Sequence, residues 1–182
     1  MKQVLLLFTL TSFLSCDTKT SSIFRTDFTL EEQKLIQTAD SIIKNAYYTT
    51  LITLDSEHQP RARIVEPFLP KNEYIIWIAT NPKSRKVAQL KQNSATTLHY
   101  FDKTKLAYVS LMGNAFLVND STTKNEIWKD GWEKFYPNKE KDYLLIKFVP
   151  ETLELINIID GFTGDKDTWK PHQVQLRISN NK

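Results

Sequence analysis

Along the chain the spacing of apolar residues changes several times, and each change predicts an element. Leu35, Ile36, Ala39, Ile42, Ile43 and Ala46 recur at three- and four-residue intervals, the spacing of one face of a helix. Thr29-Leu30-Glu31-Glu32 stands just before them. A Thr three residues ahead of a Glu is a capping box, in which the hydroxyl accepts from the Glu amide and the carboxylate reaches back to the Thr amide. A helix over residues 30–46 with one core-facing stripe follows. Beyond it "AYYTTLITLD" and "RARIVEPF" are rich in β-branched residues, and the short polar "SEHQP" between them predicts a hairpin or tight loop. "EYIIWIAT" is nearly continuously apolar, as in a strand covered on both faces.

"KSRKVAQLKQN" returns to helical spacing, after which "ATTLHYFD", the turn "KTK" and the long run "LAYVSLMGNAFLVND" predict two more strands. Gly113 in the middle of that run marks a bulge or sharp bend. Asp120 or Ser121 caps a helix predicted through "TKNEIWKDGWEKFY", closed by Pro137-Asn138. "DYLLIKFVP" and "TLELINII" predict a strand pair with Pro150 in its connection, and a last short strand follows the loop that begins "DGFTGDKDTW". Six or seven strands joined mostly by short turns, with few helices, favour a mainly β fold, a small antiparallel barrel rather than alternating α/β layers.

The first residues follow a different pattern. Lys2 precedes "VLLLFTLTSFL", an apolar run shorter than the roughly 17 residues a permanent membrane helix needs, so residues 1–16 read as a cleaved signal. Small Ser15 stands before Cys16, the one cysteine of the chain. This resembles a bacterial lipoprotein signal, with cleavage before a cysteine that is then acylated; a simple secretory peptide is the other reading. The lipoprotein reading makes residues 17–27 a polar tether and residues 28–178 one domain. It implies an exported protein of the bacterial cell envelope, anchored to a membrane through lipidated Cys16 and facing the periplasm.

A net charge of +3 with Lys and Glu interspersed does not point to nucleic acid. Four glycines in 182 residues exclude an extended Gly-rich phosphate loop, so a bound phosphate has to be held by side chains. Ser84-Arg85-Lys86 offers such side chains at a predicted helix start, where unpaired N–H groups and the helix dipole favour an anion. A capped, solvated helix end explains the same three residues. Upstream, Arg61 and Arg63 lie two apart on a predicted strand and so share a face. Unpaired, buried arginines are costly, and an anion would satisfy them through bidentate hydrogen bonds. An exposed edge with Glu57 or Glu66 as partners is the alternative.

Taken together, "QPRARIV", "WIATNPKSRKVAQLKQN", "YVSLMGNAFLVND", "IWKDGWEKFYP" and "LLIKFVPETLELIN" resemble, in order and spacing, the pyridoxamine 5′-phosphate oxidase-like family of FMN-binding split β-barrels. The general-stress-protein-26-like branch is the nearest match. The resemblance implies a six-stranded antiparallel split barrel and a homodimer with FMN in a groove between two barrels. It carries Arg63, with Arg61, Ile64 and Val65 around it, to the arginine segment that meets the FMN phosphate. Ser84, Arg85 and Lys86 match the element holding the same phosphate, Ala79 and Thr80 the strand end beside the ribityl chain and flavin, and Gln89 follows on the same helix.

The departures are equally specific. Val65-Glu66-Pro67-Phe68 replaces a "VLLK"-like segment of the vitamin-making oxidases, and the end "QLRISNNK" lacks their Arg-Leu-x-Pro grip on substrate. Arg177 is thus a poor substrate residue, and pyridoxamine phosphate oxidase activity is not expected. The resemblance leaves two functions: an FMN-dependent oxidoreductase whose chemistry is the flavin's, or a stress-protective module that binds flavin or another ligand without turnover. No residue is assigned as acid or base. His58, His99 and His172 have no paired metal spacing. Trp128, Trp132, Phe135 and Tyr136 form a stripe suited to a core or dimer contact, and Trp169 is suited either to cover a cofactor or to plug the barrel.

Overall fold

The computed structural model describes residues 22–179. Its first strand, β1 (Ser22–Phe24), is followed by helix α1 (Leu30–Ala46). The helix opens on the capping box: Thr29 Oγ1 accepts from the Glu32 amide at 3.2 Å, and Glu32 Oε2 accepts from the Thr29 amide at 2.9 Å. Leu35, Ala39, Ile42 and Ile43 on its stripe are buried.

Then come β2 (Thr49–Leu54), β3 (Pro60–Val65), β4 (Ile76–Thr80), α2 (Arg85–Gln92), β5 (Ala95–Asp102) and β6 (Ala107–Val118). Two short helices, α3 (Ser121–Glu126) and α4 (Lys139–Asp142), precede β7 (Leu144–Ile156), β8 (His172–Gln175) and β9 (Arg177–Ser179). Six strands run antiparallel in the order β3-β2-β5-β6-β7-β4. Just past β3, Pro67 bridges Ile78, and the Phe68 amide donates to the Trp77 carbonyl at 2.8 Å. That contact joins the two end strands and closes a six-stranded barrel. β7 spans 13 residues, enough to pair β4 over 144–148 and β8 over 152–155 along one edge. α1 packs on β5 and β6, and its stripe merges with Leu51, Ile78, Leu98, Leu111, Ile146 and Phe148 in one core.

Three expectations change. Pro150 lies inside the single long strand β7, not in a connection between two strands. It stands opposite Gly113, where the β6–β7 register shifts. Proline has no N–H to give a ladder, and an irregular position is where a strand tolerates that loss. The glycine is required from the other side: a Cβ on Gly113 would lie 2.2 Å from the Val149 carbonyl oxygen. The helix predicted through residue 136 stops at Glu126. Gly131 then takes a left-handed conformation, φ 85°, and a 3-10 turn over Trp132–Lys134 follows. The interruption lets Ile127 and Trp132 turn onto Tyr143 and Leu145 as a second, aromatic core, with Trp128 and Tyr136 at its margin. Phe135 stays exposed.

The third concerns the tether. Within residues 17–27, Ser22–Phe24 is a strand of the folded body, paired with β9. Arg25 fixes it further through Glu32 at 2.8 Å and the Gln175 carbonyl at 2.9 Å. The expected signal and Cys16 lie outside the described residues. Among the described residues no helix is long and apolar enough to cross a membrane.

Candidate anion-binding site

β4 ends at Thr80, and the chain reverses through Asn81-Pro82-Lys83. Asn81 Oδ1 accepts from the Lys83 amide at 2.8 Å and the Asn81 carbonyl accepts from the Ser84 amide at 3.0 Å, so the side chain and backbone of one Asn shape the turn into α2. Ser84 is the N-cap residue, but its hydroxyl makes no capping bond; it lies 3.1 Å from Thr80 Oγ1. Lys86, two residues on, folds back and donates from Nζ to Thr80 Oγ1 at 2.9 Å.

The second half comes from β3. Arg63 pairs in register with Leu51, and its guanidinium reaches across β2 toward α2. Nη1 donates to Thr53 Oγ1 at 2.6 Å and to the Leu51 carbonyl at 3.4 Å, while Nη2 donates to Gln89 Oε1 at 2.8 Å. Gln89 follows Lys86 by one helical turn, so helix, strand and β4 end converge on one cleft.

The electrostatics of the cleft are one-sided. Burial, then the charge of Arg85, pushes the Arg63 pKa down. Burial, then the charge of Arg63, pushes Lys86 below the usual lysine value. Each cation is thus felt by the next, and among the described residues no carboxylate forms a salt bridge with Arg63, Arg85 or Lys86. Partly desolvated like charges repel, and a bound anion would relieve that repulsion. Phosphate suits the donor set of a guanidinium, an ammonium, two hydroxyls and a helix N-terminus.

The structure therefore gathers Arg63, Thr80, Ser84, Lys86 and Gln89, with Arg85 exposed beside them. Arg61 is not among them: its Nε donates to Asp55 Oδ2 at 2.7 Å. Asp55 takes the place of the partners considered from sequence, since Glu66 instead accepts from Lys129 Nζ and Tyr47 Oη. Ile64 points to the outer face of the sheet and is exposed, Val65 packs on the main core, and Ala79 packs on the aromatic core. Thr53 joins the site although the sequence reading passed over it. Its signal was a polar residue at an inward position of an alternating strand, where the neighbouring inward residue, Leu51, is apolar.

The histidines lie elsewhere. His99 Nδ1 is 2.9 Å from Ser110 Oγ, and burial lowers its pKa. His172 packs edge-on to Phe162, and His58 occupies a left-handed turn position, φ 58°. Among the described residues no three metal-binding side chains cluster. Trp169 is 82% exposed and does not plug the barrel. With Tyr108, Ile156 and Ile158 it lines a cavity of about 540 Å³.

A sequence model described as pyridoxamine 5′-phosphate oxidase like matches residues 34–155. No curated protein sequence matches. The general stress protein 26 of Bacillus anthracis str. Sterne superposes with a TM-score of 0.61 at 23% identity, over 78% of this chain and 98% of its own. A Clostridium acetobutylicum protein related to general stress protein 26 gives a TM-score of 0.65 at 22% identity, over 80% and 96%. A pyridoxamine 5′-phosphate oxidase-related, FMN binding protein from Nostoc punctiforme gives 0.57 at 13% identity, over 82% and 97%. A heme binding protein from Mycobacterium smegmatis shares the fold at 0.56 and 14% identity, over 75% and 56%.

Proposed function

Because the chain belongs to the pyridoxamine 5′-phosphate oxidase-like family, we propose that its cationic cleft holds the phosphate of FMN. The observation that carries this reading is the group of three cations, Arg63, Arg85 and Lys86, without a carboxylate salt bridge among the described residues. Arg63 would grip the phosphate through its guanidinium, Lys86 would neutralise it, and the hydrogen-bonded Ser84–Thr80 hydroxyl pair would donate its free hydrogen. When bound, FMN supplies a ring that accepts and returns hydride or electrons. The chain's own part is to fix the phosphate and shape the groove. The proposed role is a general-stress-type flavin oxidoreductase; a flavin-binding protein without turnover is the alternative, and steady-state reduction of bound flavin by a nicotinamide donor separates them.

Two further parts belong to the reading. The outer sheet face interleaves apolar Ile52, Ile64, Phe101, Met112 and Ile156 with polar Thr50, Thr97, His99, Ser110 and Glu154, and its one wholly apolar row is Phe101, Tyr108 and Ile156. That row, with exposed Phe101 and nearby exposed Ile64, supports a homodimer with the cofactor groove at its seam. Cys16 would anchor the protein to an envelope membrane. Only residues 17–21 separate it from Ser22, so β1 would lie within roughly 20 Å of the lipid, at about 3.5 Å per extended residue.

The test is a flavin titration of protein lacking residues 1–16. Uptake of FMN at micromolar concentration is expected, weakened about tenfold or more by Arg63→Ala or Lys86→Ala, since each removes a charged hydrogen bond. Absence of flavin bands and of uptake would overturn the reading. Separately, Cys16→Ala should abolish lipid labelling and release the protein from membranes.

A further inference from the structure

We propose that Thr53 is a positioning residue of the cleft, one that sets affinity for the phosphate end of the ligand by holding the Arg63 guanidinium in place. The proposal rests on the cleft being a phosphate site. Arginine only donates hydrogen bonds, so the atoms facing Nη1 and Nη2 must both be acceptors. Thr53 Oγ1 at 2.6 Å and Gln89 Oε1 at 2.8 Å meet that demand. The amide of Gln89 consequently has one permitted orientation, oxygen toward the guanidinium. The Thr53 hydroxyl, whose lone pair faces Arg63, then sends its hydrogen to Gln89 Oε1 at 2.7 Å. Every bond in this three-membered ring has a fixed direction.

The ring also decides which edge of the arginine is occupied. Thr53 Oγ1 and Gln89 Oε1 lie within hydrogen-bond distance of each other, so they sit side by side along the Nη1–Nη2 edge. The Nε–H makes no hydrogen bond among the described residues, which leaves the Nε–Nη2 edge, with two parallel donors, for a bidentate anion. Thr53 is fully buried on the inward face of β2, and Gln89 is buried on α2. Strand and helix thus clamp one edge of the guanidinium and turn the other into the cleft. Gln89, on this geometry, acts through Arg63 instead of contacting the ligand with its oxygen, because that oxygen already accepts two hydrogen bonds.

The consequence is specific to phosphate. FMN and riboflavin share the ring and ribityl chain and differ in the phosphate alone, so loosening Arg63 should affect the first and spare the second. Thr53→Val keeps the side-chain shape and removes the hydroxyl. Its expected effect is a fall of about tenfold in FMN affinity, the size of one hydrogen bond to a charged group, with riboflavin affinity unchanged. Thr53→Ser, which keeps the hydroxyl, should bind FMN within about twofold of the native protein. In an Arg63→Met background, Thr53→Val should have no further effect on FMN, because a residue acting through Arg63 has nothing left to position.

Wild-type affinity for FMN in Thr53→Val would overturn the proposal. So would a parallel loss of FMN and riboflavin, which marks a general packing defect. If Thr53→Val does not fold, as judged by thermal melting, Gln89→Met breaks the same ring from the helix side and must give the same FMN-selective loss. Native protein that takes up neither FMN nor inorganic phosphate overturns the phosphate site itself. Native uptake with an unaffected variant overturns only the role of Thr53.

Discussion

Arg63 and Arg177 are both at least partly withdrawn from water and both donate to main-chain carbonyls, yet their surroundings are opposite. Arg177 is 4% exposed; Nε donates to the Pro150 carbonyl at 3.0 Å and Nη2 to the Glu73 carbonyl at 2.7 Å, with the Glu73 carboxylate 3.6 Å away and the Phe24 ring 5.4 Å from its centre. That guanidinium is satisfied by the protein, and it ties β9, β7 and the turn before β4 together. Arg63 is held as firmly along one edge, but the charges that couple to it are those of the cations Arg85 and Lys86. A cation with its counter-charge built in serves the architecture. One that is oriented and left uncompensated is suited to a ligand.

Gly113 belongs to the architectural side alone. Gly113 sits opposite Pro150, whose carbonyl Arg177 uses, and a Cβ there would meet the Val149 oxygen at 2.2 Å and Pro150 Cα at 2.7 Å. The close atoms are all backbone of β7, which leaves little room to give. Gly113→Ala should therefore cost about 3 kcal/mol or more and lower the melting temperature by roughly 6–12 °C. A melting curve within a degree or two of the native protein would show that the β6–β7 irregularity is not rigid.

Arg177→Met comes next. It leaves the Pro150 and Glu73 carbonyls without a donor, which should cost about 2–4 kcal/mol in thermal unfolding. FMN affinity of the folded protein should not change. Arg63→Met should invert that split, with a large loss of FMN affinity and little change in melting temperature, since removing one of several mutually repelling cations offsets lost hydrogen bonds. Two variants that lost stability and affinity in the same proportion would abolish the distinction between the two sites.

The cation group also predicts a pH dependence. Lys86 titrates below the usual lysine value of 10.5 in the folded protein, from burial and then from Arg63. Between that lowered value and 10.5 the unfolded chain binds a proton that the folded chain does not. The stability of the ligand-free protein should therefore rise with pH across the window. Binding runs the other way. A phosphate favours charged Lys86, so FMN affinity should fall as pH rises through the Lys86 value, and again below about pH 6 as the phosphate monoester dianion takes up a proton to become a monoanion. Lys86→Gln should flatten the alkaline arm, and Arg63→Met should move it upward.

Much of the fold was legible because its signals are local. The Thr29 capping box, the β-branched run of β2 and the bulge or bend at Gly113 depend on neighbours in sequence, and each appears where its pattern predicted. The misreadings involve distant partners. Pro150 looked like a break because its tolerance inside β7 depends on Gly113 in another strand. The helix after Asp120 looked continuous because the pull of Tyr143 and Leu145 on Ile127 and Trp132 is invisible in its own spacing. In the site, Ser84 and Lys86 follow from a helix start, Arg63 from strand alternation and Gln89 from resemblance, whereas Thr53 required the β2–β3 register and the packing of α2. Strand alternation alone also paired Arg61 with Arg63, and there the side chains diverge.

That divergence yields the smallest expected effect and the cleanest control. Arg61 lies on the same face of β3 as Arg63, opposite Thr53 in the register, and carries the same charge. Its side chain is 52% exposed and its Nε is engaged by Asp55 at 2.7 Å. Asp55 Oδ1 in turn accepts from the Glu57 and Gln59 amides, so the carboxylate is fixed by the hairpin and draws the arginine away from the cleft. An exposed pair of this kind contributes little to stability, and Arg61→Ala should shift the melting temperature by no more than about 2–4 °C. FMN affinity should stay within about twofold, the residual long-range attraction being screened at physiological salt. If Arg61→Ala instead weakened FMN as strongly as Arg63→Ala, the Asp55 pair would have to open on binding. The cleft would then be a four-cation site, and the contrast between compensated and uncompensated arginines would need a state in which Arg61 changes sides.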